Sequence, residues 1–218
     1  MNRSVASTHR IADAVVVVLI CFGWPMWGSV AAVVRGFPPS PFDDATLISL
    51  IVFELVLAGA ALGYLRLRGH ELSPLVPKPT GVGSLVGFAL YAVASLGIWP
   101  LYWVVEKADL AAQPIEQMIA GASISLPWLL GLSIVNGLFE EVFLIGYLLR
   151  ELERFGVSLA IGSTILIRAL CHVYQGPMGT VSAMGFGLVF ALYYWRKKLL
   201  WPVVFGHILA DVVGFVLR

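Results

Sequence analysis

The sequence is poor in charge and in cysteine. Only 12% of its 218 residues are charged, 59% are hydrophobic and the mean hydropathy is +0.89, which excludes an ordinary soluble globular protein. The formal net charge of +1 gives no footprint for nucleic acid, so none is expected as a partner. Cys21 and Cys171 both fall in apolar runs. A structural disulfide and a thiolate metal site are therefore both unexpected.

Long apolar runs predict an all-α, polytopic transmembrane helical bundle. A spanning helix needs about 20 mostly apolar residues. Seven runs qualify, at roughly residues 11–34, 46–65, 84–105, 125–149, 156–175, 178–195 and 199–217. The first is too long for a signal peptide and lacks a convincing small-residue cleavage site, so we expect it to be retained. The segment Leu110 to Gly121 could add an eighth, re-entrant or interfacial element. We expect a single integral membrane domain over residues 1–218.

The distribution of basic residues between the loops predicts the orientation in the bilayer. Ten lie in loops on the side of the N-terminus: Arg3, Arg10, Arg66, Arg68, Lys78, Arg150, Arg154, Arg196, Lys197 and Lys198. Three lie on the opposite side: Arg35, Lys107 and Arg218. We therefore expect a cytoplasmic N-terminus and an external C-terminus, in a multi-pass protein of a bacterial cell membrane.

Ionisable residues interrupt the predicted spans. We assign seven ionisable residues to these spans: Glu54, Glu140, Glu141, Arg168, His172, His207 and Asp211. Each costs about 2.5–3.5 kcal/mol at the centre of a spanning helix, so such residues usually face the protein interior and serve a function. Six of the seven lie in the C-terminal half, on three predicted helices, as a site assembled between helices requires.

Helical spacing indicates which of these side chains share a face. Three pairs are four residues apart: Asn136 with Glu140, Arg168 with His172, and His207 with Asp211. Glu140 and Glu141 are adjacent and point about 100° apart, so we expect one to reach the substrate and the other to support it. Span centres place Glu140 and His207 near the midplane, with His172 about 10 Å further out. Glu54 stands alone, as either a structural hydrogen-bonding residue or part of the cavity.

Three motifs carry a family resemblance. In order they are Glu140-Glu141-Val-Phe-Leu-Ile-Gly146-Tyr-Leu, Arg168-Ala-Leu-Cys-His172-Val-Tyr174-Gln175-Gly176, and Leu200-Trp201-Pro202-Val-Val-Phe-Gly-His207-Ile-Leu-Ala-Asp211. Their succession resembles the CPBP family of intramembrane proteases, also called the CAAX-protease or ABI family, over residues 124–217. Ile145 stands where the commonest motif has Arg, and Arg168 where it has Phe. The Arg-x-x-x-His-x-Tyr-Gln-Gly form resembles one branch of that family.

The resemblance implies hydrolysis of a peptide bond within or beside the bilayer, with a peptide or a membrane protein as substrate. It assigns water activation to Glu140 and His172, and oxyanion support to His207 and Asp211. The remaining polar residues are expected to support the site: Glu141, Arg168 and Asn136.

A zinc ion would take Glu140, His172 and His207 as ligands. The soluble His-Glu-x-x-His helix motif is absent from the sequence, and the two histidines lie on different predicted helices. We therefore prefer water activation without a metal, and leave the cofactor open.

Two other functions stay open at this point. A catalytically inert relative, acting as a membrane scaffold or immunity protein, would keep the fold, and Ile145 in place of the motif Arg favours it. An ion- or proton-coupled transporter would also use buried Glu and His, although no inverted repeat is apparent. Because Ile145 cannot neutralise Glu141, we expect Arg168, the basic residue inside a predicted span, to lie within about 6 Å of that carboxylate. Since an ionised carboxylate would repel an oxyanion, we expect Asp211 to be protonated or to orient His207 through a hydrogen bond.

Overall fold

The computed structural model describes residues 3–38, 42–107 and 114–216, and within them the chain is helical, which confirms the all-α bundle. The α-helices are α1 Arg3–Val34, α2 Asp44–Leu67, α3 Gly81–Lys107, α4 Pro114–Ala120, α5 Leu126–Glu140, α6 Arg150–Leu152, α7 Val157–His172, α8 Gly176–Lys197 and α9 Trp201–Val216. A π-helix, Glu141–Leu149, joins α5 to α6, and 3-10 turns cover Ser73–Leu75, Glu153–Phe155 and Val173–Gln175.

Helix length and composition support a membrane protein. Five apolar helical stretches in the described part of the chain are long enough to cross a bilayer. One of them, Val157–Lys197, folds back on itself between α7 and α8, since Gly187 of α8 packs on Arg168 of α7. With α7 and α8 counted separately and the shorter α9 added, the described residues contain seven apolar helical segments that correspond to the predicted spans. Of the predicted eighth segment only α4 and the residue after it are described, because residues 110–113 lie outside the described ranges, as does Arg218.

Local sequence explains where the helices begin and end. The side chain of Asp43 accepts a hydrogen bond from the backbone nitrogen of Thr46 at 2.7 Å and caps α2. Pro127 lies in the first turn of α5, where its missing N–H costs nothing. Gly176 adopts a φ of +83° between α7 and α8, a conformation that suits glycine.

Glycines bring α9 close to two neighbouring helices. A Cβ on Gly87 of α3 would lie 2.6 Å from the carbonyl oxygen of Pro202, and one on Gly206 would lie 3.1 Å from the Gly87 oxygen. Gly137 of α5 approaches Ile208 of α9 in the same way, at 2.9 Å. Small residues permit such close helix crossings in membranes. As a result α9 is held between α3 and α5.

The outer surface of the bundle is apolar. Large hydrophobic side chains are well exposed on several helices, among them Leu19, Trp27, Val56, Leu85 and Leu96. Exposed apolar patches of this extent suit a lipid environment rather than water. The polar side chains discussed below face the interior instead, as expected for a membrane bundle.

A polar cluster at one end of the bundle was missed by the count of seven ionisable residues. Asp13, within the predicted first span, is 4% exposed. Its carboxylate accepts from the Tyr64 hydroxyl at 2.7 Å and from Nε of Arg68 at 2.9 Å, and His70 Nε2 lies 3.0 Å away. These partners satisfy the buried charge, so this eighth residue has a structural explanation. The cluster lines a cavity of about 380 Å³ that also holds Arg10 and Arg150.

Candidate active site

The Glu140-Glu141 pair lies where the helix changes its geometry. Glu140 ends α5 and Glu141 opens the π-helix. π-helical turns are rare and frequently mark functional sites. The backbone bonds of this π-helix join residues five apart instead of four. Ile145 is 1% exposed and packs in the apolar core.

Arg168 of α7 reaches both carboxylates. Its Nη2 donates to Oε1 of Glu141 at 2.6 Å and its Nη1 donates to Oε2 of Glu140 at 3.0 Å. Arg168 is 3% exposed and Glu141 is fully buried. The predicted Arg168–Glu141 pair is therefore confirmed, whereas the second bond, to Glu140, was not predicted. Gly187 makes room for the guanidinium, because a Cβ there would lie 2.8 Å from Cδ and Nε of Arg168.

His207 is held on both sides of its ring. Its Nδ1 lies 2.6 Å from Oε1 of Glu141, and its Nε2 lies 3.2 Å from Nδ2 of Asn136. The same Asn136 amide donates to Oδ2 of Asp211 at 3.0 Å. Asp211 Oδ1 stands 3.6 Å from His207 Nε2, beyond a good hydrogen bond. Glu141 and Asn136 therefore make the close contacts to His207, and Asp211 is linked to this ring through the Asn136 amide.

The side chains of His172 and Glu140 approach each other. His172 Nε2 is 3.9 Å from Oε1 of Glu140, although the span centres place the two residues about 10 Å apart in depth. Nδ1 of His172 lies 2.7 Å from the carbonyl oxygen of Arg168. Since a carbonyl only accepts, Nδ1 carries a proton, and in the neutral ring Nε2 presents its lone pair.

A cavity of about 930 Å³ lies beside these residues. Of the predicted site residues it is lined by Asn136, Glu140, His172 and Asp211, and Glu54 lines it too. Three others are not part of its lining and lie behind that wall: Glu141, Arg168 and His207. Glu140 therefore lines the cavity and Glu141 does not; that one glutamate reaches the substrate while the other supports it stays a prediction.

Hydrogen bonds beside the cavity join the segments where α2 and α5 begin. The backbone nitrogen of Ser123 donates to the carbonyl oxygen of Phe42 at 2.8 Å, and the Ser125 nitrogen donates to Asp44 Oδ1 at 2.7 Å. Arg35, after α1, and Phe215, near the end of α9, also line this cavity.

Sequence reasoning did not give Tyr174 and Gln175 a role, although both stand in the quoted motif. Both line the cavity, and Gln175 Nε2 donates to the Tyr174 hydroxyl at 3.1 Å. The backbone nitrogen of Tyr174 donates to the Ser29 hydroxyl at 3.0 Å, and the Thr180 hydroxyl donates to the carbonyl oxygen of His172 at 3.2 Å. These bonds hold the 3-10 turn Val173–Gln175 in place. The Tyr174 hydroxyl keeps its own proton available as a donor.

The residues that could hold a metal differ from the predicted set. Among the described residues, ligand atoms of Glu140, Glu141 and His207 lie within 4.8 Å of one another, and His172 is not part of this group. The Arg168 guanidinium already donates to both carboxylates. Oε2 of Glu141 has no hydrogen-bond partner in the described structure, but a cation placed there would lie against that guanidinium. The donor set therefore does not fit a zinc ion.

A known protein family matches part of the chain. Residues 122–213 match the family model described as "Rce1-like: Type II CAAX prenyl endopeptidase Rce1-like". This segment is an Rce1-like domain. It contains every predicted site residue, and the resemblance to CAAX proteases is confirmed at the level of the family. No significant match to the chain was found among curated proteins or among solved structures.

The Rce1-like domain begins shortly before α5 and ends within α9. It thus includes the Glu140–His172 pair and the Arg168 bridge, while α1 and α2 supply the other wall of the cavity. A CAAX-type membrane protease is the activity that this family implies. The single domain over residues 1–218 stays a prediction.

Proposed function

We propose that the chain is an intramembrane endopeptidase of the CAAX type that hydrolyses a peptide bond with a water molecule activated by Glu140 and His172. The observation that carries this proposal is the 3.9 Å separation between Glu140 Oε1 and His172 Nε2 at the wall of the cavity. A water between them would be within hydrogen-bonding reach of both atoms.

The surrounding bonds leave these two atoms free for that water. Oε2 of Glu140 is engaged by Arg168, which leaves Oε1 toward the cavity, and the backbone bond of His172 directs its lone pair there. The water oxygen attacks the carbonyl carbon while Glu140 takes a proton. As the carbon–nitrogen bond breaks, Glu140 returns that proton to the leaving amine. Arg168 donates to both buried glutamates and offsets part of their negative charge.

The oxyanion formed in this step needs a hydrogen-bond donor on the cavity wall. His207, which the resemblance assigns to this role, lies behind the wall and is 6% exposed. We therefore assign His207 to positioning, together with Asn136 and Asp211. The Tyr174 hydroxyl lines the cavity close to His172, with ring centroids 6.5 Å apart, and is our candidate donor.

The proposed mechanism uses no metal, because Arg168 already donates to Glu140 and Glu141, two of the three residues that could bind one. Hydrolysis should then persist in chelator. An activity that is lost in chelator and restored by one equivalent of zinc would overturn this part.

The test is cleavage of a peptide library by the purified full chain in lipid nanodiscs. Glu140→Gln and His172→Ala should each lower the rate by about two to four orders of magnitude, as loss of a general base does. Cys171→Ser, which alters a cavity residue outside the proposed mechanism, is the matched control. Cleavage in ¹⁸O-labelled water should place one label in the new carboxylate.

The same assay separates the other functions. An inert relative would show no cleavage in the wild type, and no difference between wild type and Glu140→Gln. Ile145 favoured that alternative, but Arg168 supplies the positive charge beside the glutamates that an arginine at position 145 would have given. A transporter would move protons or ions across liposomes without releasing peptide fragments.

A further inference from the structure

The cavity contains a carboxyl group that the proposed mechanism does not use. Glu54 belongs to a stripe of α2 that lines the cavity, formed by Thr46, Ser49, Leu50, Phe53 and Glu54. Their spacing places them on one face of the helix. Glu54 is the last member of this stripe, about 15 Å along the helix from its first residue, Asp44.

Glu54 also differs from the other carboxyls that line the cavity. Its Oε2 is buried and has no hydrogen-bond partner in the part of the chain that the structure describes. Glu140, by contrast, is bonded to Arg168, and Asp211 is bonded to Asn136. A buried polar atom without a partner is unfavourable, and native proteins usually leave one only where a ligand or water completes it.

The charges around Glu54 favour a cationic ligand. The described ionisable side chains in the lining include three carboxyls, those of Glu54, Glu140 and Asp211, against Arg35 and His172. Arg35 follows α1 and is exposed, so it does not neutralise the buried carboxyls. Glu54 lies within electrostatic range of Glu140 and Asp211. Because Arg168 already donates to Glu140, a positive group in this region would be attracted mainly by Glu54 and Asp211.

The walls of the cavity narrow the choice of cation. Apolar and aromatic side chains line the same cavity as Glu54, among them Phe22, Leu50, Phe53 and Leu129. Such walls suit an aliphatic stem, and aromatic faces also attract cations. A lysine or arginine side chain combines an apolar stem with a charged end, whereas a hydrated metal ion would gain nothing from these walls.

We propose that Glu54 is the anionic end of a subsite that binds the lysine or arginine side chain of a peptide substrate. This inference rests on the proposed function for its peptide ligand, and it makes a basic residue close to the cleaved bond the specificity determinant. Glu54 contacts the substrate side chain in this scheme and takes no part in the proton transfers.

Binding can be measured separately from cleavage. The full chain in lipid nanodiscs would be titrated with fluorescent, end-blocked alanine–serine decapeptides that differ at one central position, carrying lysine, norleucine or glutamate. We expect the lysine peptide to bind at least about ten-fold more tightly than the norleucine peptide. Norleucine keeps the aliphatic stem, so this ratio isolates the charge.

Glu54→Gln should bring the lysine-to-norleucine ratio close to one while leaving norleucine affinity unchanged. Glu54→Asp, which retains the charge, should keep a preference for lysine. Ser49→Ala, on the same face of α2, should leave the ratio as in the wild type. The cleavage assay should show the Glu54→Gln effect mainly in KM, because the residue binds the substrate in its ground state.

The outcomes distinguish this inference from the proposed function. An unchanged lysine-to-norleucine ratio in a folded, monodisperse Glu54→Gln protein would overturn the subsite, and so would a wild type without any preference. A charge-dependent ratio that Glu54→Gln abolishes, in a protein that cleaves none of the peptides, would support the subsite and refute the peptidase.

Discussion

Arg168 donates from Nη2 to Oε1 of Glu141 at 2.6 Å, and this bond ties α7 to the first residue of the π-helix. The same guanidinium donates to Glu140, and the same carboxylate oxygen lies 2.6 Å from His207. One buried cation therefore organises residues from three helices.

The first prediction concerns the stability of this bridge. Arg168→Leu strands two buried carboxylates and should cost roughly 3–5 kcal/mol, as breaking a buried ion pair does. Glu141→Leu should cost less, because Arg168 keeps Glu140 as a partner. The double variant should be less destabilised than the sum of the single losses. Reversible unfolding in mixed detergent micelles measures all three.

The matched control is the more exposed Arg154–Glu151 pair, whose atoms are 2.8 Å apart. Removing either partner there should cost at most about 1 kcal/mol. Single losses at Arg168 and Glu141 that simply add would show that the two residues do not form an energetic unit.

Much of this arrangement could be predicted from the sequence. Apolar runs predicted the membrane helices, because bilayer thickness sets the length of a spanning helix. The expectation that Arg168 pairs with Glu141 followed from the cost of burying each charge alone. Both are properties of single segments or of simple charge balance.

What could not be predicted depends on backbone geometry. The π-helix after Glu140 follows from none of the sequence patterns described above, so it was not predicted. The bond from Arg168 to Glu140 was not predicted either, because it depends on how two helices pack and not on spacing within one segment. Asp13 was overlooked because it lies near the start of the first span.

The second prediction concerns the space beside Arg168. Gly187→Ala would put a methyl group about 2.8 Å from Cδ and Nε of Arg168, so the guanidinium would have to shift. We expect cleavage to fall by about ten-fold or more, because the bridge to Glu140 would be misplaced. Gly162→Ala on α7, where a Cβ would meet nothing within 4 Å, is the control and should be neutral or slightly stabilising. Full activity in Gly187→Ala would contradict the argument.

The third prediction concerns orientation in the bilayer. The basic residues Arg10, Arg68 and Arg150 line one cavity at one end of the bundle, as expected if all three belong to the same side. A reporter fused after Val82 should give a cytoplasmic signal, and one fused after Arg218 an external signal. If the two signals are reversed, the N-terminus is not inside. If both reporters give the same signal, the number of spans is not odd.

The last prediction concerns Asn136, which joins His207 to Asp211. Its Nδ2 is 3.0 Å from Asp211 Oδ2, so Asn136→Asp replaces the donor by a second acceptor beside that carboxylate. We expect a loss of about a hundred-fold in kcat. The exchange Asn136→Asp with Asp211→Asn restores one donor and one acceptor and should recover part of the rate. Ser133→Ala, one turn earlier, should stay near wild type because its hydroxyl donates only to the Leu129 carbonyl. An exchange variant no more active than Asn136→Asp would show that the pair does not act through this hydrogen bond.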